Sequence, residues 1–296
     1  MTNEEIIEKT KEEIRLRGLS ELTEIEYLGK LRIFIRHYEN QPLSKMSEDE
    51  IRAFLLYLIE EKKDAASTVN AYNSALRFVF GAVLGRILNY QKIPRRRIHR
   101  ELPQILTKAD IVKFLESITN VRDKAIFMTI YGSGLRMCEI VRLRIQDIDS
   151  ANMRVFVHQG KGGKDRYTLL SQNSLDMLRE YWRSYRPNHP DGYLFLSKDR
   201  SKEIHIRTVQ DAFNSILRRA GIPKNYSVHT LRHCFATHLL ENGVDVCRIK
   251  QLMGHTHIQS TTFYLHLINF DGSIKSPLDT LPKKRGRKPK AVTDNE

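Results

Sequence analysis

The sequence predicts a mainly α chain with a small antiparallel β-sheet, an α+β arrangement confined to the second of two domains. Three observations predict it. A length of 296 residues calls for about two domains of roughly 100–200 residues each. Apolar residues in the first ninety positions recur at three-and-four spacing, the period of a half-buried helix. One stretch, Arg154 to Leu170, alternates on either side of a glycine-rich turn and reads as a hairpin in an otherwise helical second half.

In the first domain, 3–17 is a charge-rich helix with apolar positions at Ile6, Ile7 and Ile14. Residues 21–39 place Leu22, Ile25, Tyr27, Leu28, Leu31, Ile33, Phe34 and Ile35 on one expected buried stripe. Ser47 before Glu48, Asp49 and Glu50 is an N-cap with acids in the first turn, opening a helix through Ile51, Phe54, Leu55, Leu58 and Ile59. A fourth helix starts near Ser67 and carries Val69, Tyr72, Leu76, Phe78, Val79 and Phe80. The first domain is therefore placed at 1–90.

Two prolines, weak periodicity and a basic run mark 91–104 as an exposed linker. Arg95, Arg96 and Arg97 are either a solvated charge run or a stretch that lies along phosphates. The second domain, 105–272, opens with Thr107 as N-cap to a helix through Ile111, Phe114 and Leu115, followed by a helix at 122–132. After the hairpin come helices at 171–184, 206–220, 229–242 and 244–253. Residues 273–296 lose periodicity and end in a basic run, the composition of a disordered tail.

Composition narrows the function. A hydrophobic fraction of 41% with 28% charged residues is that of an ordinary globular chain. No apolar run approaches the ~18 residues of a membrane span, and Glu4 and Glu5 stand where a signal peptide needs bases. With Cys138, Cys234 and Cys247 as an odd, unpaired set, the expectation is a cytoplasmic protein without disulfides or a structural zinc site. Against 35 acids, 49 lysines and arginines leave +14, which favours a polyanionic partner such as nucleic acid.

Four patches hold polar residues that packing alone does not require. In Gly132-Ser133-Gly134-Leu135-Arg136, two glycines end a helix and Arg136 opens the next, an arrangement suited to a phosphate or carboxylate. Glu139 lies three residues on, where it can pair with Arg136 on the surface. Lys161 and Lys164 occupy the hairpin turn, which lacks the pattern of a nucleotide-binding phosphate loop. His229-Thr230-Leu231-Arg232-His233 has zinc-like histidine spacing, but Arg232 between the histidines disfavours a metal and favours an anion. His233 and His238 read as ordinary packing or surface residues. The fourth patch is Gly254-His255, with Tyr264 nine residues beyond.

Together these residues carry a resemblance. Arg136 in G-L-R-x-x-E, Lys161 in G-K-G, His229 and Arg232 in H-x-L-R-H, His255 in L-x-G-H and Tyr264 resemble the active-site set of the tyrosine recombinases, the phage-integrase family. The motif-bearing match spans roughly 105–270, and 1–90 is similar to that family's helical, SAM-like DNA-gripping domain. The resemblance implies a two-domain DNA clamp, with 91–104 as its bridge, working in the nucleoid.

It also implies site-specific cleavage and rejoining of DNA through a 3′-phosphotyrosyl intermediate, with no cofactor, ATP or metal. Tyr264 would be the nucleophile, Arg136 and Arg232 the clamp on the phosphate, and Lys161 the general acid. His229 would help move the tyrosine proton, His255 would hydrogen-bond the phosphate, and Glu139 would orient Arg136 or His229. The implied partner is double-stranded DNA with paired recombination sites, bound by a homo-tetramer. Lys164, with Arg95, Arg96 and Arg97, is a candidate DNA contact. Arg287 and Lys288 lie in a Gly-Arg-Lys-Pro core that resembles an AT-hook or is simply a solubilising tail. The alternatives are a catalytically silent DNA-binding regulator and a type IB topoisomerase-like activity.

Overall fold

The computed structural model describes residues 1–98, 104–158, 165–255, 259–262 and 264. The chain divides into two compact units, Met1–Glu101 and Leu102–Glu296. Lys161, Lys164, Arg287, Lys288 and the 273–296 tail lie outside the described residues.

The first unit is built from α1 (Asn3–Leu16), α2 (Glu21–His37), α3 (Glu48–Glu60) and α4 (Ala66–Phe78), the last running on into a π turn at Val79–Val83. Thr2 with Glu5, and Ser47 with Glu50, form reciprocal capping boxes that satisfy the first free N–H groups of α1 and α3. Ile6, Leu31, Phe34, Ile51, Phe54, Leu58, Leu76 and Phe80 close a single apolar core.

The predicted α2 stripe is narrower than expected. Leu28, Leu31, Phe34 and Ile35 are buried, whereas Leu22 (64% exposed), Ile25 (63%) and Ile33 (46%) face away from the core. On a helix, positions 22, 25 and 33 fall opposite 28, 31 and 35, so one core cannot cover both sets.

The expected linker also differs from a free strand. Ile93 is buried in the first core. The polar face of α4, at positions 70, 73, 74 and 77, holds the segment down. Arg77 donates from Nη1 to the Leu88 carbonyl and from Nη2 to that of Ile93, both at 2.6 Å. Asn73 Nδ2 donates to the Pro94 carbonyl at 3.1 Å, and Asn70 exchanges two hydrogen bonds of 2.9 Å with the backbone of Arg96. Irregular backbone needs partners, and this face supplies them. Arg95, Arg96 and Arg97 remain exposed above it.

The second unit contains α5 (Lys108–Glu116), α6 (Val121–Ser133), α7 (Met137–Val141), β1 (Ile148–Asp149), β2 (Arg154–Val157) and β3 (Arg166–Leu169). It continues with α8 (Gln172–Tyr185), α9 (Ile206–Arg219), α10 (Val228–Glu241), α11 (Val246–Met253) and α12 (Gln259–Thr262). The strands pair antiparallel in the order β1-β2-β3, and the hairpin register runs from Arg154↔Leu169 to Val157↔Arg166. The chain is thus mostly helical with a small three-stranded antiparallel sheet, as the sequence predicts; the two-residue β1 was not anticipated.

Helix α6 packs against both α8 and α10, burying Ala125, Ile126, Phe127 and Ile130. Phe114, Phe127 and Phe213 meet in tilted and edge-on ring contacts at the core centre. Among the described residues no helix is long and apolar enough to cross a membrane.

Candidate functional site

The site forms where two left-handed helix ends meet. Gly134 ends α6 in the left-handed conformation (φ 63°), and a Cβ there would overlap the Phe235 ring of α10. Two residues later Arg136 caps α7, with Glu139 at its third position. Gly254 ends α11, also left-handed (φ 60°), with Arg166 pressed so close that a Cβ would lie 2.8 Å from the arginine Cδ. Both glycine carbonyls accept a hydrogen bond from an arginine of the site.

Glu139 is the hub. Its carboxylate accepts from the Arg136 backbone N–H (2.8 Å) and from Arg136 Nη1 (2.7 Å). Arg166, on β3, grips the same carboxylate with both terminal nitrogens at 2.8 Å each, and donates from Nε to the Leu252 carbonyl at 2.9 Å. Burial alone would raise the Glu139 pKa, but Arg166 and then Arg136 outweigh it and bring it down to about 2. Glu139 therefore orients Arg136 and is not a solvated surface acid; its side chain is 6% exposed.

Arg232 lies on α10 and is 1% exposed. It donates from Nη1 to the Gly134 carbonyl and from Nη2 to the Met253 carbonyl at 2.5 Å, and its Nη1 is 3.9 Å from Glu139 Oε2. Burial, and then repulsion from Arg136, lower its pKa to about 9, which leaves it charged at neutral pH.

Tyr264 is buried, and its hydroxyl lies 2.9 Å from His233 Nδ1. Burial pushes its pKa up to about 12 despite the opposing pull of Arg232 and Arg136, which both act on it. Its ring stacks parallel to that of His255. His255 Nδ1 is 2.8 Å from Thr261 Oγ1, and its pKa falls to about 3 through burial and then Arg232, Arg136 and Arg166. A neutral His255 whose Nδ1 accepts from Thr261 presents Nε2–H as a donor. His229 opens α10 with its ring edge-on to His233 at 5.1 Å. Partial burial, then Arg232 and Arg136, hold it below the usual histidine range.

The structure thus brings Arg136, Glu139, His229, Arg232, His255 and Tyr264 together within one unit. Lys161 and Lys164 fall outside the described residues, between strands that pair up to Val157↔Arg166. Arg95, Arg96 and Arg97 belong to the first unit. Two members escape a reading by motif. Arg166 carries no sequence signal beyond its place in the hairpin that spans Arg154 to Leu170. His233, expected as packing or surface, is instead the hydrogen-bond partner of Tyr264, a correction that follows from its place one turn after His229 on α10.

Residues 99–269 match the model of the phage integrase family, and residues 6–90 match the phage integrase N-terminal SAM-like domain. The chain is 33% identical to tyrosine recombinase XerA of Pyrococcus horikoshii, covering 86% of this chain and 91% of that protein. It is 31% identical to an integrase/recombinase of Escherichia coli, over 94% of each chain. Among solved structures, the XerH site-specific recombinase bound to a palindromic difH substrate, a post-cleavage complex, matches in fold. Its TM-score is 0.70 at 22% identity, covering 85% of this chain and 78% of that one.

Proposed function

Because the chain belongs to the phage integrase family and is a tyrosine-type site-specific recombinase, we propose that it cuts and rejoins double-stranded DNA by transesterification at Tyr264. The observation that carries this reading is the burial of the Tyr264 hydroxyl among Arg136, Arg232 and the site histidines of its own chain.

In the forward step Tyr264 Oη bonds to phosphorus and sheds its proton as the P–O5′ bond breaks. The products are a 3′-phosphotyrosyl link and a 5′-hydroxyl. The intermediate keeps the energy of the broken ester, so rejoining needs no nucleotide hydrolysis. Arg136 and Arg232, held by Glu139 and by carbonyls, face the non-bridging oxygens and neutralise the charge gathering on the pentavalent centre. His255 Nε2–H donates to the same oxygens, and His229 completes the polar wall. Lys161, four residues before Asp165 at the hairpin's return, protonates the departing O5′. Arg95, Arg96, Arg97 and Lys164 add contacts to phosphates along the duplex. The working assembly is a homo-tetramer on two paired sites, and the C-terminal Arg287 and Lys288 add minor-groove contacts.

The test uses duplex selected from a randomised pool by the Tyr264→Phe chain, then nicked a few nucleotides 3′ of the cleavage point. The short released strand diffuses away, so an adduct accumulates. A covalent protein–DNA species with the wild-type chain and none with Tyr264→Phe is the expected result; no adduct with the wild-type chain overturns the reading.

A further inference from the structure

We propose that His233 is a catalytic residue of this site, the group that takes the proton from Tyr264 as the nucleophile attacks and returns it on rejoining. The inference rests on Tyr264 being the nucleophile. Resemblance would give the proton to His229, but the geometry gives it to His233, whose Nδ1 lies 2.9 Å from the phenolic oxygen. This is the separation at which a general base acts.

Several features fit the assignment. His233 projects from α10 one residue after Arg232, so the helix that fixes the phosphate clamp also fixes the base relative to it. Its ring meets Tyr264 on one side, at 5.7 Å between centroids, and His229 edge-on on another, at 5.1 Å. These contacts limit its rotation. The charged and titratable groups facing it are His229 and Arg232 on α10, and His255 and Tyr264 from the segments beyond. Burial, and then His229 and Arg232, lower its pKa to about 4, so at neutral pH the ring is uncharged. In the Nε2–H tautomer the Nδ1 lone pair accepts the phenolic hydrogen.

A base this weak opposite so weak an acid leaves the resting tyrosine protonated, which keeps the nucleophile quiet without DNA. A bound phosphodiester changes both sides of the balance. Its negative charge offsets the Arg232 guanidinium that helps to depress His233, and bonding to phosphorus acidifies the phenol oxygen. As Oη–P forms and P–O5′ breaks, the proton moves from Oη to Nδ1 while O5′ receives one from the general acid. In rejoining, O5′ attacks phosphorus, the Oη–P bond breaks and the imidazolium returns its proton to Oη.

The experiment measures single-turnover adduct formation on saturating nicked duplex whose leaving 5′-oxygen is replaced by sulfur, which departs without protonation. Lys161→Ala should then react at nearly the wild-type rate. His233→Ala and the shape-preserving His233→Gln should stay slower by about a hundredfold or more. Their rates should rise about tenfold per pH unit from pH 6 to 9, because only pre-formed phenolate can attack, while the wild-type rate stays flat. A wild-type rate in both variants, repair by glutamine, or a slowed but pH-independent rate overturns the role of His233. Absence of any wild-type adduct, or an adduct with Tyr264→Phe, instead overturns the nucleophile itself.

Discussion

Arg136 shows why residue type matters here beyond charge. One guanidinium nitrogen is committed to Glu139 and the other to the Gly254 carbonyl, so the planar group is aimed before any phosphate arrives. A lysine keeps the charge but cannot make both contacts at once. Arg136→Lys should therefore lose about a hundredfold or more of adduct formation at saturating DNA while retaining DNA affinity. Retained activity would show that charge alone suffices. Glu139 supplies a second prediction. Its folded pKa, about 2, is below that of an unfolded glutamate, so its stabilising effect is full above about pH 4.5 and fades as pH falls toward 2. Glu139→Gln should be less stable than the wild-type chain by a few kcal/mol at pH 7, with the gap closing through that window. Denaturant midpoints at pH 7 and pH 3 measure this; a gap that does not narrow would mean that the arginines ignore its charge.

At the level of elements, legibility followed whether a residue's partners lie on its own helix or motif. Arg136 with Glu139, and His229 with Arg232, sit at three-residue spacings on single helices, so the sequence alone pairs them. Arg166 does not. In β3, hydropathy would turn Tyr167 and Leu169 inward, yet these are 48% and 42% exposed. Thr168 is instead buried against the Ser133 carbonyl, and Arg166 shares its face. A carboxylate on α7, the Leu252 carbonyl in α11 and the Ser133 carbonyl at the end of α6 recruited the polar face, and no local pattern records that. His233 escaped for a related reason, since its partner lies 31 residues away. The α4 tether, by contrast, was written in the helical repeat of Asn70, Asn73, Ser74 and Arg77, but nothing local said what that face would hold. Arg77→Ala removes donors from the Leu88 and Ile93 carbonyls and a cation from over the Tyr90 ring. It should cost about 2 kcal/mol of stability in chemical denaturation. An unchanged midpoint would mean that the segment is held by Ile93 burial alone.

Across the whole molecule, positive charge serves two distances. The +14 excess acts at long range and should make DNA affinity fall steeply with salt. The proposed catalytic centre acts at contact range: among the described residues three guanidiniums, Arg136, Arg166 and Arg232, gather around the carboxylate of Glu139. These four side chains together carry two net positive charges. A phosphodiester in transesterification gathers charge on its non-bridging oxygens, and a preorganised cationic pocket stabilises that charge without reorganising. Fixed arginines can therefore do what a divalent ion does in other phosphoryl-transfer sites. Adduct formation on the nicked duplex should accordingly proceed at an unchanged rate in excess EDTA. The two distances also separate experimentally. Raising salt should weaken binding at subsaturating DNA yet leave the single-turnover rate on saturated complexes nearly constant, because a buried pocket is screened far less than an exposed surface. Loss of adduct in EDTA with recovery on adding magnesium would show that the arginines are not sufficient, and that the pocket's charge must be completed by a metal ion.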